Sequence, residues 1–160
     1  MQTTPIPSRN PVWTWMSAWN RRVCALLERG AGPRNMVLLL TTTGRKSGLP
    51  RQTPLQFEEA GGFIYVSSAR GSAADWYRNI LADPRVQVRI RGQVHPGMAN
   101  PIHDPEQIAD FFSLRLRRRP LMIGLLLRLE GLPLFYRRQD LLRFAAQKVL
   151  IAIQLGETRV

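Results

Sequence analysis

From residue 36 onward the chain alternates short apolar runs with turns marked by glycine and proline, and most connections are too short to hold a crossover helix. Met36 to Thr43 is apolar and then β-branched, the composition of a buried strand. Gly44-Arg45-Lys46-Ser47-Gly48 turns the chain, Gln52 to Glu58 resumes as strand, Gly61-Gly62 turns it again, and Phe63 to Ser67 forms a third strand. Arg85 to Arg91 alternates without a break. Val86, Val88 and Ile90 fall on one face and Arg85, Gln87, Arg89 and Arg91 on the other, as in a strand with one buried side. Gly92 turns this strand toward a partner over Gln93 to Ile102, and Val149 to Leu155 is again strand-like.

Helical spacing marks the remainder. Trp15, Trp19, Val23 and Leu26 recur at helical intervals between Val12 and Arg29, and Gly30 and Gly32 stop the pattern. Asp75 to Ala82 makes a short helix that ends before Pro84. Asp104 caps a helix with Pro105 at its first position, running to about Arg118; Pro120 interrupts it, and Leu121 to Leu129 continues as a second helix. Met1 to Pro11 is polar and proline-rich, a loose tail. The pattern predicts an α+β fold: a split β-barrel with an N-terminal helix and a helical C-terminal insertion, one domain over 12–160.

Composition sharpens the picture at two points. Twenty-three Lys plus Arg against eleven Asp plus Glu give a net charge of +12, and the only lysines are Lys46 and Lys148. An excess this large repels itself unless something anionic binds, such as a phosphorylated or carboxylated small molecule, a nucleic acid or an acidic membrane surface. The single cysteine, Cys24, excludes an internal disulfide and any multi-cysteine metal site, and its neighbours Val23 and Leu26 favour packing. The longest apolar run, Leu121 to Leu127, is far short of the roughly 18–20 residues that span a bilayer. With no secretory signal at the N-terminus, the expected setting is cytoplasmic.

The Gly44–Gly48 turn is the sharpest chemical signal. Flanking glycines let backbone N–H groups converge, Arg45 and Lys46 add charge, and Ser47 adds a hydroxyl, a combination suited to phosphate. The upstream glycine of a Walker A loop is absent. Taken alone, the turn reads equally as a solvated hairpin tip. Thr53-Pro54 alone reads as an edge-strand break, Arg70 beside Gly71 as a solvated turn, and Trp76 and Tyr77 as core aromatics.

Together the motifs carry more. Leu38 to Gly48, Pro50-Arg51, Thr53-Pro54-Leu55, Val66 to Gly71 and Trp76 to Val86 follow one another in an order that resembles the nitroreductases and quinone reductases that use coenzyme F420, an 8-hydroxy-5-deazaflavin. The resemblance is close from Leu38 to Val88. It implies a flavin-reductase-like split barrel with the cofactor lying across it. By that likeness Arg45, Lys46 and Ser47 hold the phosphate, and Arg51, Gln52, Thr53 and Pro54 line the ring and ribityl chain. Ser67, Ser68, Ala69 and Arg70 run along the cofactor, and Trp76, Tyr77, Arg78 and Asn79 close its far side. The coenzyme's phosphodiester and polyglutamate tail suit Arg45, Lys46, Arg51, Arg70 and Arg78. Hydride transfer to a quinone, a nitroaromatic or another electron-poor acceptor follows, with no general acid demanded. FMN is the variant cofactor, and a fatty-acid or lipid-binding barrel without catalysis is the competing class.

Other features fit less well. His95 and His103 lack metal-ligand spacing, so no metal is expected. Tyr136 is the tyrosine best placed to supply a proton. No recognition-helix signature supports a nucleic-acid partner. The segment from Pro105 to Ala146, rich in Arg115, Arg117, Arg118, Arg119 and leucine, departs from the family pattern. It suits peripheral contact with an anionic membrane face, a cover for a barrel end, or a homodimer contact.

Overall fold

Alternation along each strand decides what fills the centre of the molecule. The computed structural model describes residues 22, 24–26, 29 and 35–156. Its strands are β1 (Val37–Thr43), β2 (Pro50–Ala60), β3 (Phe63–Ser68), β4 (Arg85–Ile90), β5 (Gln93–Ile102) and β6 (Val149–Leu155). They form a closed antiparallel barrel in the order β1-β2-β3-β6-β5-β4. Leu38, Leu40, Val66, Val88, Ile151 and Ile153 point inward and are fully buried or nearly so. Each such side chain contributes about 1.5–3 kcal/mol relative to exposure.

Four helices are described over residues 35–156: α1 (Asp75–Ala82), α2 (Pro105–Arg118), α3 (Pro120–Leu129) and α4 (Arg138–Ala145). Helix α1, entered through a short 3₁₀ turn at Gly71–Ala73, sends Trp76, Tyr77 and Ile80 into the barrel core. The other three pack against the outside of the barrel around a second core, in which Ile108, Phe112, Ile123, Leu127 and Phe144 meet Leu150 of β6. Strand β6 is therefore covered on both faces, which is why its sequence, VLIAI, is apolar without alternation.

Most expected elements lie within two or three residues of their observed bounds. Helix α4 was not anticipated: Asp140 accepts a hydrogen bond from the Arg137 amide, fixing its first turn, and Leu141 and Phe144 face the second core. Of the expected helix from Val12 to Arg29, only Arg22 and Cys24–Leu26 are described, and they are helical. Trp13, Trp15, Trp19 and the tail before them lie outside the described residues.

Within the closed barrel the seam between β2 and β3 is short. Pairing of β2 with β3 runs only from Phe57–Val66 to Ala60–Phe63, so residues 50–56 of β2 bond to β1 alone. Pro54 lies in this one-sided stretch, where a missing N–H is tolerated.

A buried ion pair fastens the helical layer to the barrel. Glu58 on the outer face of β2 is 3% exposed and Arg115 of α2 is 5% exposed. Arg115 donates to Gln56 Oε1 at 2.6 Å, and Arg118 donates to Glu58 Oε2 at 3.1 Å. Arg115 Nε and Glu58 Oε1 have no hydrogen-bond partner and face each other at 3.6 Å, so charge attraction alone compensates their burial. Burial pulls the Arg115 guanidinium below its usual range, and Glu58 opposes that shift. Removing one partner strands the other charge. Arg115→Ala is expected to cost about 3–5 kcal/mol, read as a lower denaturant midpoint, whereas Glu58→Leu combined with Arg115→Met should cost much less.

Candidate cofactor groove at the 44–48 turn

The groove forms where the barrel interior turns polar. Register places Leu38 opposite Leu55, Leu40 opposite Thr53 and Thr42 opposite Arg51 on the inward faces of β1 and β2. Moving toward the β1–β2 turn, that face changes from leucine to threonine and arginine. Helix α1 closes the same end, and its Asn79 is 4% exposed.

Asn79 ties three elements together. Its Oδ1 accepts from the Arg45 backbone N–H at 3.2 Å and from Arg45 Nη1 at 3.0 Å, and its Nδ2 donates to Thr42 Oγ1 at 3.1 Å. Arg45 Nη2 also reaches Asp75 Oδ1 at 3.0 Å, but that carboxylate is 73% exposed. Exposed pairs contribute about 0–1 kcal/mol, so the amide, not the carboxylate, fixes Arg45.

The turn itself is closed by its own backbone. Gly48 N donates to Gly44 O at 2.7 Å, Ser47 N to the same oxygen at 3.2 Å, and Gly44 N to Leu49 O at 2.8 Å. Gly48 has φ +68°, a left-handed conformation that glycine adopts without strain. At Gly44 a β-carbon would come within 2.7 Å of Ser47 Oγ and 3.1 Å of Leu49 O, so a side chain there would displace the Ser47 hydroxyl and crowd the turn's backbone. The expected convergence of N–H groups on a ligand is thus corrected. Most of them are spent inside the turn or on Asn79, and any anion must be met chiefly by side chains.

Those side chains line a groove of about 420 Å³ bounded by Gly44, Arg45, Lys46, Ser47, Arg51, Thr53, Asp75, Trp76 and Asn79. It runs from the turn to Trp76. Lys46 and Arg51 are exposed, and Arg51 Nη2 lies 3.5 Å from Ser47 Oγ.

Of the residues expected at the site, the groove gathers Arg45, Lys46, Ser47, Arg51, Thr53, Trp76 and Asn79. Gln52 and Pro54 do not line it, because consecutive strand residues point to opposite faces and these two share the outer face with Thr41 and Leu39. Ser67 faces outward beside Leu150, and the Ser68 hydroxyl accepts the Arg70 amide at 3.1 Å. Ala69 and Arg70 are exposed on the loop beyond β3. Tyr77 is in the barrel core, meeting Trp76 edge to face, and Arg78 sits on the exposed side of α1, bonded to Ser72 O at 3.0 Å. Tyr136 lies apart from the groove, against α3 with Leu121 and Leu125, since the chain before α4 packs on the outer layer. Asp75 lines the groove without having been singled out, and Gly44 lines it as part of the turn. An acidic residue opening a helix next to a cationic turn was the available signal for Asp75. Among the described residues no group of His, Cys, Asp or Glu could hold a metal ion.

A six-stranded antiparallel barrel with a short β2–β3 seam, helices packed on it and a cationic groove where its interior turns polar, has the split β-barrel fold of the flavin-reductase-like class. A family model for F420H(2)-dependent quinone reductase matches residues 16–121, well over half of the chain, and the chain belongs to that family. It is 32% identical over 74 residues to the F420H(2)-dependent quinone reductase Rv1261c of Mycobacterium tuberculosis (strain ATCC 25618 / H37Rv), covering 43% of this chain. The chain spans about half the length of that curated relative, 50%. In fold it is similar to a solved F420-H2 dependent reductase, FDR-A, with TM-score 0.50 and 23% identity, covering 73% of this chain and 92% of that one. A domain-swapped dimer has TM-score 0.52 and 22% identity, covering 90% and 99%.

Replacing Asn79 with leucine leaves Thr42 and the Arg45 amide without their partner. The expected loss is about 1–3 kcal/mol for each buried group stranded, measured by denaturant unfolding. Asn79→Asp, which keeps both acceptor contacts to Arg45, should lose much less; equal losses would show that the turn does not depend on this amide.

Proposed function

We propose that the chain is an F420-dependent reductase that passes a hydride from the reduced cofactor to a quinone or another electron-poor organic acceptor, with the 44–79 groove holding the cofactor's anionic part. The supporting observation is the run of cations from the turn to Trp76, inside the span matched by the family model. Three cations, Arg45, Lys46 and Arg51, face one carboxylate, Asp75. That is more positive charge than a single phosphate needs, which favours the longer, polyanionic F420 over FMN.

The residues fit such a group. Lys46 and Arg51 supply charged donors, Ser47 and Thr53 supply hydroxyls, and Trp76 offers an aromatic surface at the inner end. Arg45 serves in two ways. Its contact with Asn79 shapes the turn, while its exposed contact with Asp75 is weak enough for an arriving phosphate to replace. A groove of about 420 Å³ lies within the usual range of small-molecule sites.

When bound, the reduced deazaflavin supplies a hydride, and a quinone that takes up this hydride and a proton leaves as hydroquinone. Solvent could carry the accompanying proton, so no side chain of this chain would need to act as an acid. The chain's task is then to bind, orient and partly desolvate. Acceptors of the quinone and nitroaromatic types satisfy the same requirement for an electron-poor π system.

Fluorescence titration with F420 and with FMN tests this reading. Saturable F420 binding is expected, with Lys46→Ala and Arg51→Ala each weakening it by about 1.5–3 kcal/mol, roughly ten- to 150-fold. Binding of neither cofactor would defeat the oxidoreductase reading, and tighter binding of FMN would reassign the cofactor.

A further inference from the structure

Helix α3 is apolar on two sides. Ile123 and Leu127 are buried in the second core, yet Leu121, Leu125 and Leu129, spaced one turn apart, are 89%, 60% and 79% exposed. The chain beyond the helix adds Leu134 and Phe135, 56% and 90% exposed. An apolar groove of about 320 Å³ between helix and chain is lined by Leu121, Leu125, Leu132, Leu134 and Tyr136, with Arg128 beside them. A lone exposed leucine is unremarkable, but a contiguous ridge of them marks a contact surface.

Charge identifies the kind of partner. From 117 to 137 the chain holds five arginines, Arg117, Arg118, Arg119, Arg128 and Arg137, against one acidic residue, Glu130. Glu130 is taken by Lys148 at 2.8 Å, and Arg118 is taken by Glu58. Among the described residues no carboxylate forms an ion pair with the Arg128 or Arg137 side chain, and these two flank the ridge. The ridge is therefore apolar at its centre and cationic around it. A second copy docked face to face would set these arginines against their equivalents, whereas an anionic lipid surface relieves both the exposed leucines and the uncompensated charge. No described helix is long and apolar enough to cross a membrane, so the contact is lateral.

We propose that the outer face of α3, with Leu134 and Phe135, docks on an anionic lipid surface: the leucines and Phe135 enter the boundary between headgroups and acyl chains, and Arg128 and Arg137 contact the headgroups. None of these residues lines the 44–79 groove, so docking and cofactor binding are separable.

Flotation of the full chain with vesicles tests the assignment. Binding is expected to vesicles of equal parts phosphatidylcholine and phosphatidylglycerol, weakened by high salt, and not to phosphatidylcholine alone. Changing Leu125, Leu129 and Phe135 together to glutamine should lower partitioning more than about tenfold. Each of Arg128→Gln and Arg137→Gln should lower it by about fivefold. All variants should keep the parent's melting temperature and F420 titration, which separates failure of docking from failure of the cofactor reading. Absence of binding to the mixed vesicles, equal binding to the neutral ones, or an apolar variant that floats like the parent would overturn the proposal. So would sedimentation showing a parent dimer that the apolar variant dissolves, which would give this face to a second copy.

Discussion

The side-chain amide of Asn79 is the contact on which the groove depends. One carbonyl oxygen and one NH₂ group join α1 to the end of β1 through Thr42, and to the 44–48 turn through the Arg45 backbone and guanidinium. An amide suits this position because it offers acceptor and donor at once without bringing a charge into a nearly buried place. The neighbouring Arg45–Asp75 pair is shorter in sequence reach but largely solvated, so it adds little. The turn is consequently shaped before any ligand arrives, and binding need not spend free energy ordering it. Lys46 and Arg51, exposed at the groove's mouth, are left to meet the ligand.

Much of this was legible in the sequence, and the parts that were not have physical reasons. The strands declared themselves through alternation and turn residues: Val86, Val88 and Ile90 could only share one face. Four neighbouring residues, Arg51 to Pro54, were expected together at the site, but a strand delivers only alternate side chains, so Arg51 and Thr53 enter while Gln52 and Pro54 turn away. Likeness to a family marks a run of residues; pleating divides it. Asp75 escaped notice because its role depends on a partner across space, and the place of Tyr136 in the outer layer was not legible because nothing in the sequence tells which layer a connecting segment joins. Helix α4 is short and begins with arginines, so its apolar positions Leu141 and Phe144 stand out only once the second core is seen.

The charge excess, undifferentiated in the composition, separates into distinct tasks in the fold. Arg115 and Arg118 neutralise a buried glutamate and hold the helical layer to β2. Arg45 shapes a turn through an amide. Lys148 bonds Glu130 and the Ala69 carbonyl while lying 4.5 Å over the Phe144 ring, joining the end of α3 to the loop beyond β3. Only cations outside such networks remain for external anions, and these include Lys46 and Arg51 at the groove and Arg128 and Arg137 near the α3 ridge. A net charge therefore reports the sum of structural and recognitional roles, and burial with partner geometry is what divides them.

The two layers also divide along the chain. The span matched by the family model, residues 16–121, contains every residue that lines the groove and ends as α3 begins. Helices α3 and α4 lie beyond it, packed on the barrel's outer face through their own core. Because the groove takes its shape from β1, β2 and α1, substitutions on the solvent side of α3 leave the contacts of Asn79 untouched. That independence lets the solvent side of α3 vary without disturbing the groove built from Gly44 to Asn79. A layer that must fit the barrel on one side is free to evolve a second surface on the other.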